Sequence, residues 1–320
     1  MTEPPTVLIT GANGFVGTAL RGRLEDRGVT VRGIDLQPSS GVVRGDTTDP
    51  SGWSEELDGV DVVVHTAAIV TFAGDEEHFW RTNVLGTRRV LEAATAAGVR
   101  RAVVISSVVV YGFDVHGVVD ETWPVRPNGS PYVDTKVATE QVALQAHAAG
   151  DIDVVVIRPG DVYGPASPAW TLSPISELRR GRAAVPSGDG VLNLIYIDDL
   201  VTALDRAVTV PEAAGQVLNV TGGDVVSPQR FFGHYARMLG TRPPRSLPAS
   251  VLRPAAAGLR RIDELRGHDT DLSAFAIDYL TRPARISNGR ARRTLNWEPE
   301  IHLDEGMART EAWLHDTGII

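Results

Sequence analysis

There is no cysteine among the 320 residues, which excludes disulfides, thiolate metal sites and cysteine nucleophiles together. Lysine is nearly as scarce: of 31 basic side chains only Lys136 is not an arginine. No apolar run approaches the ~20 residues a membrane-spanning helix needs. No charged-then-apolar leader precedes the first strand-like run, so a soluble cytoplasmic protein without a membrane span is expected. Positive charge is short overall. A net charge of −9 leaves no electrostatic footprint for nucleic acid. What remains is ordinary globular composition, 42% hydrophobic and 22% charged, in a chain long enough for a sizeable core.

The chain opens on a buried-type strand, Thr6 to Thr10, that runs into Gly11-Ala12-Asn13-Gly14-Phe15-Val16-Gly17 and then into a helix marked by Val16, Leu20 and Leu24. Strand, glycine turn and helix in that order suit a dinucleotide pyrophosphate, because glycines admit the backbone and a helix start offers free N–H groups. Gly11, Asn13, Gly14, Phe15, Val16 and Gly17 are therefore candidate cofactor contacts. Val29 to Asp35 is the second strand, ending in an acid 18 residues past Gly17. Asp35 is placed to accept from ribose hydroxyls and to repel a 2′-phosphate, so NAD is expected over NADP. After a short third strand, Asp46 with Thr47 either meets the adenine amino group or forms a turn. Val60 to Thr66 runs into Ala67 and Ala68, small residues that leave room for a cofactor. His65 on that strand reads as structural. Asn83, early in a helix from Asp75 to Ala97, either buttresses the site or is an ordinary polar residue.

Arg101 to Ser106 is the fifth strand, and Ser107 stands at its carboxyl end, where parallel sheets hold ligands. A hydroxyl there can donate to a substrate oxygen, whereas Ser106 faces the core. The run from Tyr132 to about Ala149 reads as a helix, with Pro131 in its first turn and Val133, Val137, Ala138, Val142 and Ala146 as its apolar stripe. Tyr132 and Lys136, four apart, share one face. An ammonium beside a phenol lowers its pKa and makes an acid/base for neutral pH. Ile152 to Arg158 and Gln216 to Thr221 are further strands.

With these pieces in line, the chain resembles the extended short-chain dehydrogenases/reductases, in the NAD-dependent epimerase/dehydratase branch. The matching stretches are TGANGFVG, Asp35, GDTTD (45–49), VVHTAA (63–68), NVLGT (83–87), ISSVVVYG (105–112), YVDTK (132–136), RPGDVYGP (158–165) and YIDDL (196–200). The resemblance implies Ser107 as catalytic serine, Tyr132 as acid/base and also a cofactor contact, Lys136 as catalytic lysine and ribose ligand, and Asn83 as the fourth member of the catalytic set. It adds Pro159 and Val162 to the cofactor contacts, calls for no metal, and implies a homodimer pairing helices Asp75–Ala97 and Tyr132–Ala149. Sugar-nucleotide dehydratases carry Thr-Asp-Glu where this chain has Ser107-Val108-Val109, which disfavours dehydration.

The expected fold is α/β, a doubly wound parallel (Rossmann) sheet with a smaller C-terminal substrate-binding region. Residues 1–165, rejoined by 191–225, form the dinucleotide-binding domain; 166–190 and 226–320 form the substrate-binding region. In the latter, Pro168 to Leu172 is expected to line a pocket. Arg179, Arg180 and Arg182 either hold a diphosphate or lie at a solvated helix end. Asp198 or Asp199 is expected to cap a helix from Leu200 to Val208. The arginines at 285, 290, 292 and 293 read as a solvated face. The long apolar stretch from Thr241 to Arg285 resembles the 3β-hydroxysteroid dehydrogenase and dihydroflavonol reductase side of the family. The expected activity is NAD-dependent interconversion of a secondary alcohol and a ketone on a steroid-like or polyketide-like substrate. A nucleotide-sugar 4-epimerase is the rival.

Overall fold

The computed structural model describes residues 4–320 apart from 73, 182 and 266–272. Seven parallel strands form the central sheet: β1 (Val7–Thr10), β2 (Val31–Asp35), β3 (Val42–Arg44), β4 (Val62–His65), β5 (Arg101–Ile105), β6 (Asp153–Pro159) and β7 (Val217–Val220). Their order is β7-β6-β5-β4-β1-β2-β3. The chain therefore builds outward from β1 to β3, then crosses back to set β4 on the other side of β1. That reversal opens a crevice at the carboxyl ends of β1 and β4, where such sheets take their ligands.

The strands are continuous apolar runs because helices cover both faces. Alternate residues divide between two cores. Val7, Ile9, Val62, Val64, Val103 and Val155 pack with Leu20 and Leu24 of α1 (Phe15–Asp26) and with Leu200 and Leu204 of a later helix, Ile197–Thr209. Leu8, Val63, Ala102, Val104, Val154 and Val156 pack with Val90, Leu91 and Ala94 of α2 (Gly86–Ala96) and Ala143 of α3 (Pro131–Ala148). The helix expected from Asp75 is interrupted: Glu76–Phe79 is α-helical, Trp80–Leu85 is a π-helical turn, and α2 follows. Such π turns often mark functional sites.

Three short parallel pairs stand outside the sheet: Asp161–Tyr163 with Leu194–Tyr196, Ala184–Pro186 with Arg245–Leu247, and Val118–Val119 with Arg285–Ile286. The segment from Asn193 thus joins a small sheet of its own; β7 is what returns to the main one. Neither Asp198 nor Asp199 is the cap of its helix. That helix starts at Ile197, and Asp199 instead accepts from the backbone N–H groups of Glu300 and Ile301, both at 3.0 Å. The closing segment is thereby tied to the core. Arg290 and Arg292 are in ion pairs with Glu121 and Glu298. Among the described residues no helix is long and apolar enough to cross a membrane.

His65 is structural, as read: its ring nitrogens bond the Thr10 hydroxyl at 2.7 Å and the Thr87 hydroxyl at 2.9 Å. Burial, with a smaller contribution from the Lys136 charge, pushes its pKa down to about 3. The unfolded chain protonates this histidine near its usual 6.5, so stability is expected to fall as pH drops from about 6.5 towards 3. Urea unfolding across that range should show a flatter pH dependence in His65→Gln than in the parent protein. Equal slopes would discard the assignment.

Candidate active site

One cavity of about 790 Å³ runs from the glycine loop across the ends of β1, β4 and β5 to the C-terminal segments. At its first end a glycine is required twice over. Gly11 has φ +68°, and a Cβ there would lie 2.8 Å from Ala67 Cα. At Gly17 a Cβ would lie 2.2 Å from Gly11 O, so the turn can close only without a side chain. The first residue ahead of α1, Gly14, provides no side-chain cap, which leaves the opening N–H groups of the helix free for an anion. Gly11, Gly14, Phe15, Val16, Asp35, Asp46, Thr47, Ala67, Ala68, Pro159 and Val162 all line the cavity.

Asn13 and Gly17 do not. Asn13 donates its side-chain amide to Gln37 O and accepts from the Ser39 hydroxyl, while its backbone N–H binds Asp35 at 3.1 Å. It stitches the loop to the end of β2, and Gly17 serves the close turn. Asp46 forms a turn, its Oδ1 accepting from both the N–H and hydroxyl of Thr48 at 2.8 Å, while it lines the cavity.

Ser107, Tyr132 and Lys136 meet at the middle of the cavity. β5 leads into Ser107, whose hydroxyl accepts from Val109 N–H at 3.3 Å and stands beside the Tyr132 phenol. The helical spacing puts Tyr132 and Lys136 on the wall formed by α3. The expected lowering of the Tyr132 pKa is overturned: burial pushes it up to about 12, the neighbouring Ser107 hydroxyl opposes this, and the Asp161 charge adds to it. Lys136 does not offset the burial. Its ammonium donates to Ile105 O at 2.8 Å, and burial pushes its own pKa down to about 8 against the pull of Glu140. Asn83 is also placed differently from a catalytic group. It is buried behind the lining, gripping both N–H and C=O of Ile69 and donating to the Thr135 hydroxyl at 3.1 Å. It holds the wall and does not face the cavity.

Behind the site lies a charged pair. Arg158 makes two bonds to Glu140, 2.7 and 2.6 Å, and a third to the Tyr111 hydroxyl at 2.8 Å. Ser106, core-facing as read, donates to the same carboxylate.

The far end of the cavity is aromatic. Phe72 packs edge-on to Tyr132 at 5.7 Å between centroids, Tyr279 lies 5.8 Å from Phe72, and Trp170 lies 6.1 Å from Tyr279. Phe232, Ser167, Pro168 and Ala169 complete that wall, so the expectation for 168–172 holds for its first three residues. Arg179 and Arg180 do not line it; Arg179 donates to Ile319 O, and Arg180 pairs with Glu177 at 2.8 Å. Arg182 lies outside the described residues. Asp161 and Tyr279, hydrogen-bonded to one another, also line the cavity and were not singled out from the sequence. Asp161 sits inside RPGDVYGP, between two cofactor candidates, which was the available signal. Tyr279 had none.

The comparisons agree with this architecture. A dTDP-glucose 4,6-dehydratase of Streptomyces griseus is 31% identical over 97% of this chain and 94% of its own length. A 3 beta-hydroxysteroid dehydrogenase/Delta 5-->4-isomerase of Mycobacterium tuberculosis is 30% identical over 96% and 89%. The solved structure of MoeE5 in complex with UDP-glucose and NAD superposes with a TM-score of 0.80 at 29% identity, covering 98% of this chain and 99% of that one. Residues 7–221, from β1 through the end of β7, match the family described as NAD dependent epimerase/dehydratase. By its sheet, its glycine turn, its cavity and this match, the chain belongs to the NAD-dependent epimerase/dehydratase family of the extended short-chain dehydrogenases/reductases.

Proposed function

We propose that this oxidoreductase interconverts a secondary alcohol and a ketone on an apolar, steroid-like or polyketide-like body, with NAD as its cofactor. The observation that carries the substrate class is the aromatic wall of Phe72, Trp170, Phe232 and Tyr279 around Tyr132, with Arg179 and Arg180 turned elsewhere. Similarity to a steroid dehydrogenase supports the same reading.

The glycine loop and the start of α1 would hold the pyrophosphate, and Asp35 the adenosine ribose. Ala67, Ala68, Pro159 and Val162 would flank the rest. NAD, when bound, supplies the carbon that accepts or returns the hydride. Tyr132 removes the proton from the alcohol oxygen in oxidation and restores it in reduction, while Ser107 hydrogen-bonds that oxygen. Lys136, anchored on Ile105 O, would hold the nicotinamide ribose.

The rival reading, a nucleotide-sugar 4-epimerase, is supported by the likeness to MoeE5. An epimerase recycles its cofactor in place and retains it. Native mass spectrometry of the purified protein is expected to show it free of NAD and taking up added NAD reversibly. Turnover should then appear as NADH formation with apolar cyclic alcohols. Stoichiometric retained NAD, with UDP-glucose epimerised, would replace this reading by the rival.

A further inference from the structure

The substrate end of the cavity holds a buried carboxylate to which the reaction assigns no task. Asp161 is 2% exposed yet lines the cavity. Its position is set by a close backbone approach: a Cβ at Gly160 would lie 1.9 Å from Asn193 O, so only glycine lets the two segments meet. One carboxylate oxygen then accepts from Asn193 N–H at 2.7 Å, and the other accepts from the Tyr279 hydroxyl. Behind Tyr279 stands Arg282, 1% exposed, with Nη2 3.3 Å from the phenol oxygen and its guanidinium carbon 4.5 Å from the ring centre. Tyr279 thus bridges the Asp161 carboxylate to the Arg282 guanidinium; Asp161 and Tyr279 line the cavity, and Arg282 is not part of its lining.

Each carboxylate oxygen accepts more than one hydrogen bond, so Asp161 keeps acceptor capacity and offers no donor when ionised. Burial pushes its pKa up, while Arg282, the Tyr279 hydroxyl and the Asn193 N–H favour the charged form. A negative group held in low dielectric beside Tyr132 repels any anion brought to that end. The basic residues lining the cavity among those described are His78 and Arg81, both exposed, and Lys136, which donates to Ile105 O and is assigned to the nicotinamide ribose.

We propose that Asp161, displayed by Tyr279 and Arg282, is a specificity-determining residue that rejects phosphate-bearing ligands and reserves the cavity for substrates uncharged at this end. The inference rests on the reading of this cavity as the substrate site, and it narrows that reading to neutral substrates.

The test is calorimetric titration of the NAD-loaded protein with UDP-glucose at mildly alkaline pH, in parent, Asp161→Asn and Tyr279→Phe forms. NAD uptake by each variant checks its folding. Asp161→Asn keeps the shape, removes the charge and adds a donor, so UDP-glucose affinity is expected to rise tenfold or more. Tyr279→Phe keeps the charge and strips one of its donors, so affinity should stay at or below that of the parent. No gain in Asp161→Asn overturns the proposal. Where that variant fails to fold, a gain in Tyr279→Phe overturns it, and an affinity at or below that of the parent sustains it. The readout does not depend on turnover: a catalytic assignment that fails at Tyr132 leaves this binding result standing or falling by itself.

Discussion

Replacing Tyr132 by Phe is expected to cut turnover by ~10²–10⁴-fold, the usual worth of a positioned acid/base. The ring is retained, so its edge-on contact with Phe72 survives and NAD affinity should change little. The loss should fall on kcat, since the phenol acts on the reacting oxygen. The pH dependence separates the two directions. Burial raises the phenol to about 12, so oxidation, which needs the phenolate, should accelerate with rising pH below that value. Reduction needs the neutral phenol and should stay level over the same range. Bound NAD carries positive charge at the nicotinamide and would draw the alkaline rise to lower pH. Steady-state rates in both directions for the parent and the variant decide the matter. Near-parental turnover in Tyr132→Phe would remove the assignment.

The second large effect is on stability. Arg158 and Glu140 are almost fully buried, with side chains 5% and 1% exposed, and joined by paired hydrogen bonds. Replacing Arg158 by Leu strands a carboxylate in the interior and loses the bond to Tyr111. Breaking a buried pair from one side costs about 3–5 kcal/mol, because the remaining charge is left without compensation. Glu140 also lies one helical turn beyond Lys136, whose charge it favours. Denaturant unfolding is expected to show that loss in Arg158→Leu, and the double variant Arg158→Leu with Glu140→Leu should recover part of it. A single variant as stable as the parent would show that the pair contributes little.

The seven strands of the sheet were legible because they are short, mostly apolar runs, several of them closed by glycine, proline or acid, and their succession with helices allows few topologies. The glycine loop was legible as a shape requirement, and the clash at Gly17 is its physical content. The facing of Tyr132 and Lys136 followed from helical spacing alone. Asn13 shows the limit of such reading. It belongs to the loop, yet its side chain closes on Gln37 and Ser39, residues brought near only when β2 pairs with β1. Asp199 shows it again: two adjacent acids at a helix start suggest a cap, but the amides it meets are a hundred residues further on.

What the sequence determined by itself was local and periodic: the order of strands and helices, the tight glycine turn, the shared face of Tyr132 and Lys136, and Ser107 at a strand end. These depend on spacing along the chain. The tertiary structure decided what depends on burial and on distant partners. It sent the Lys136 ammonium to a carbonyl on β5, and by enclosing Tyr132 it reversed the direction of the phenol's pKa shift. It joined Asp161 to Tyr279 across 118 residues. Dielectric surroundings and charge pairs belong to the packed chain, so no local pattern encodes them.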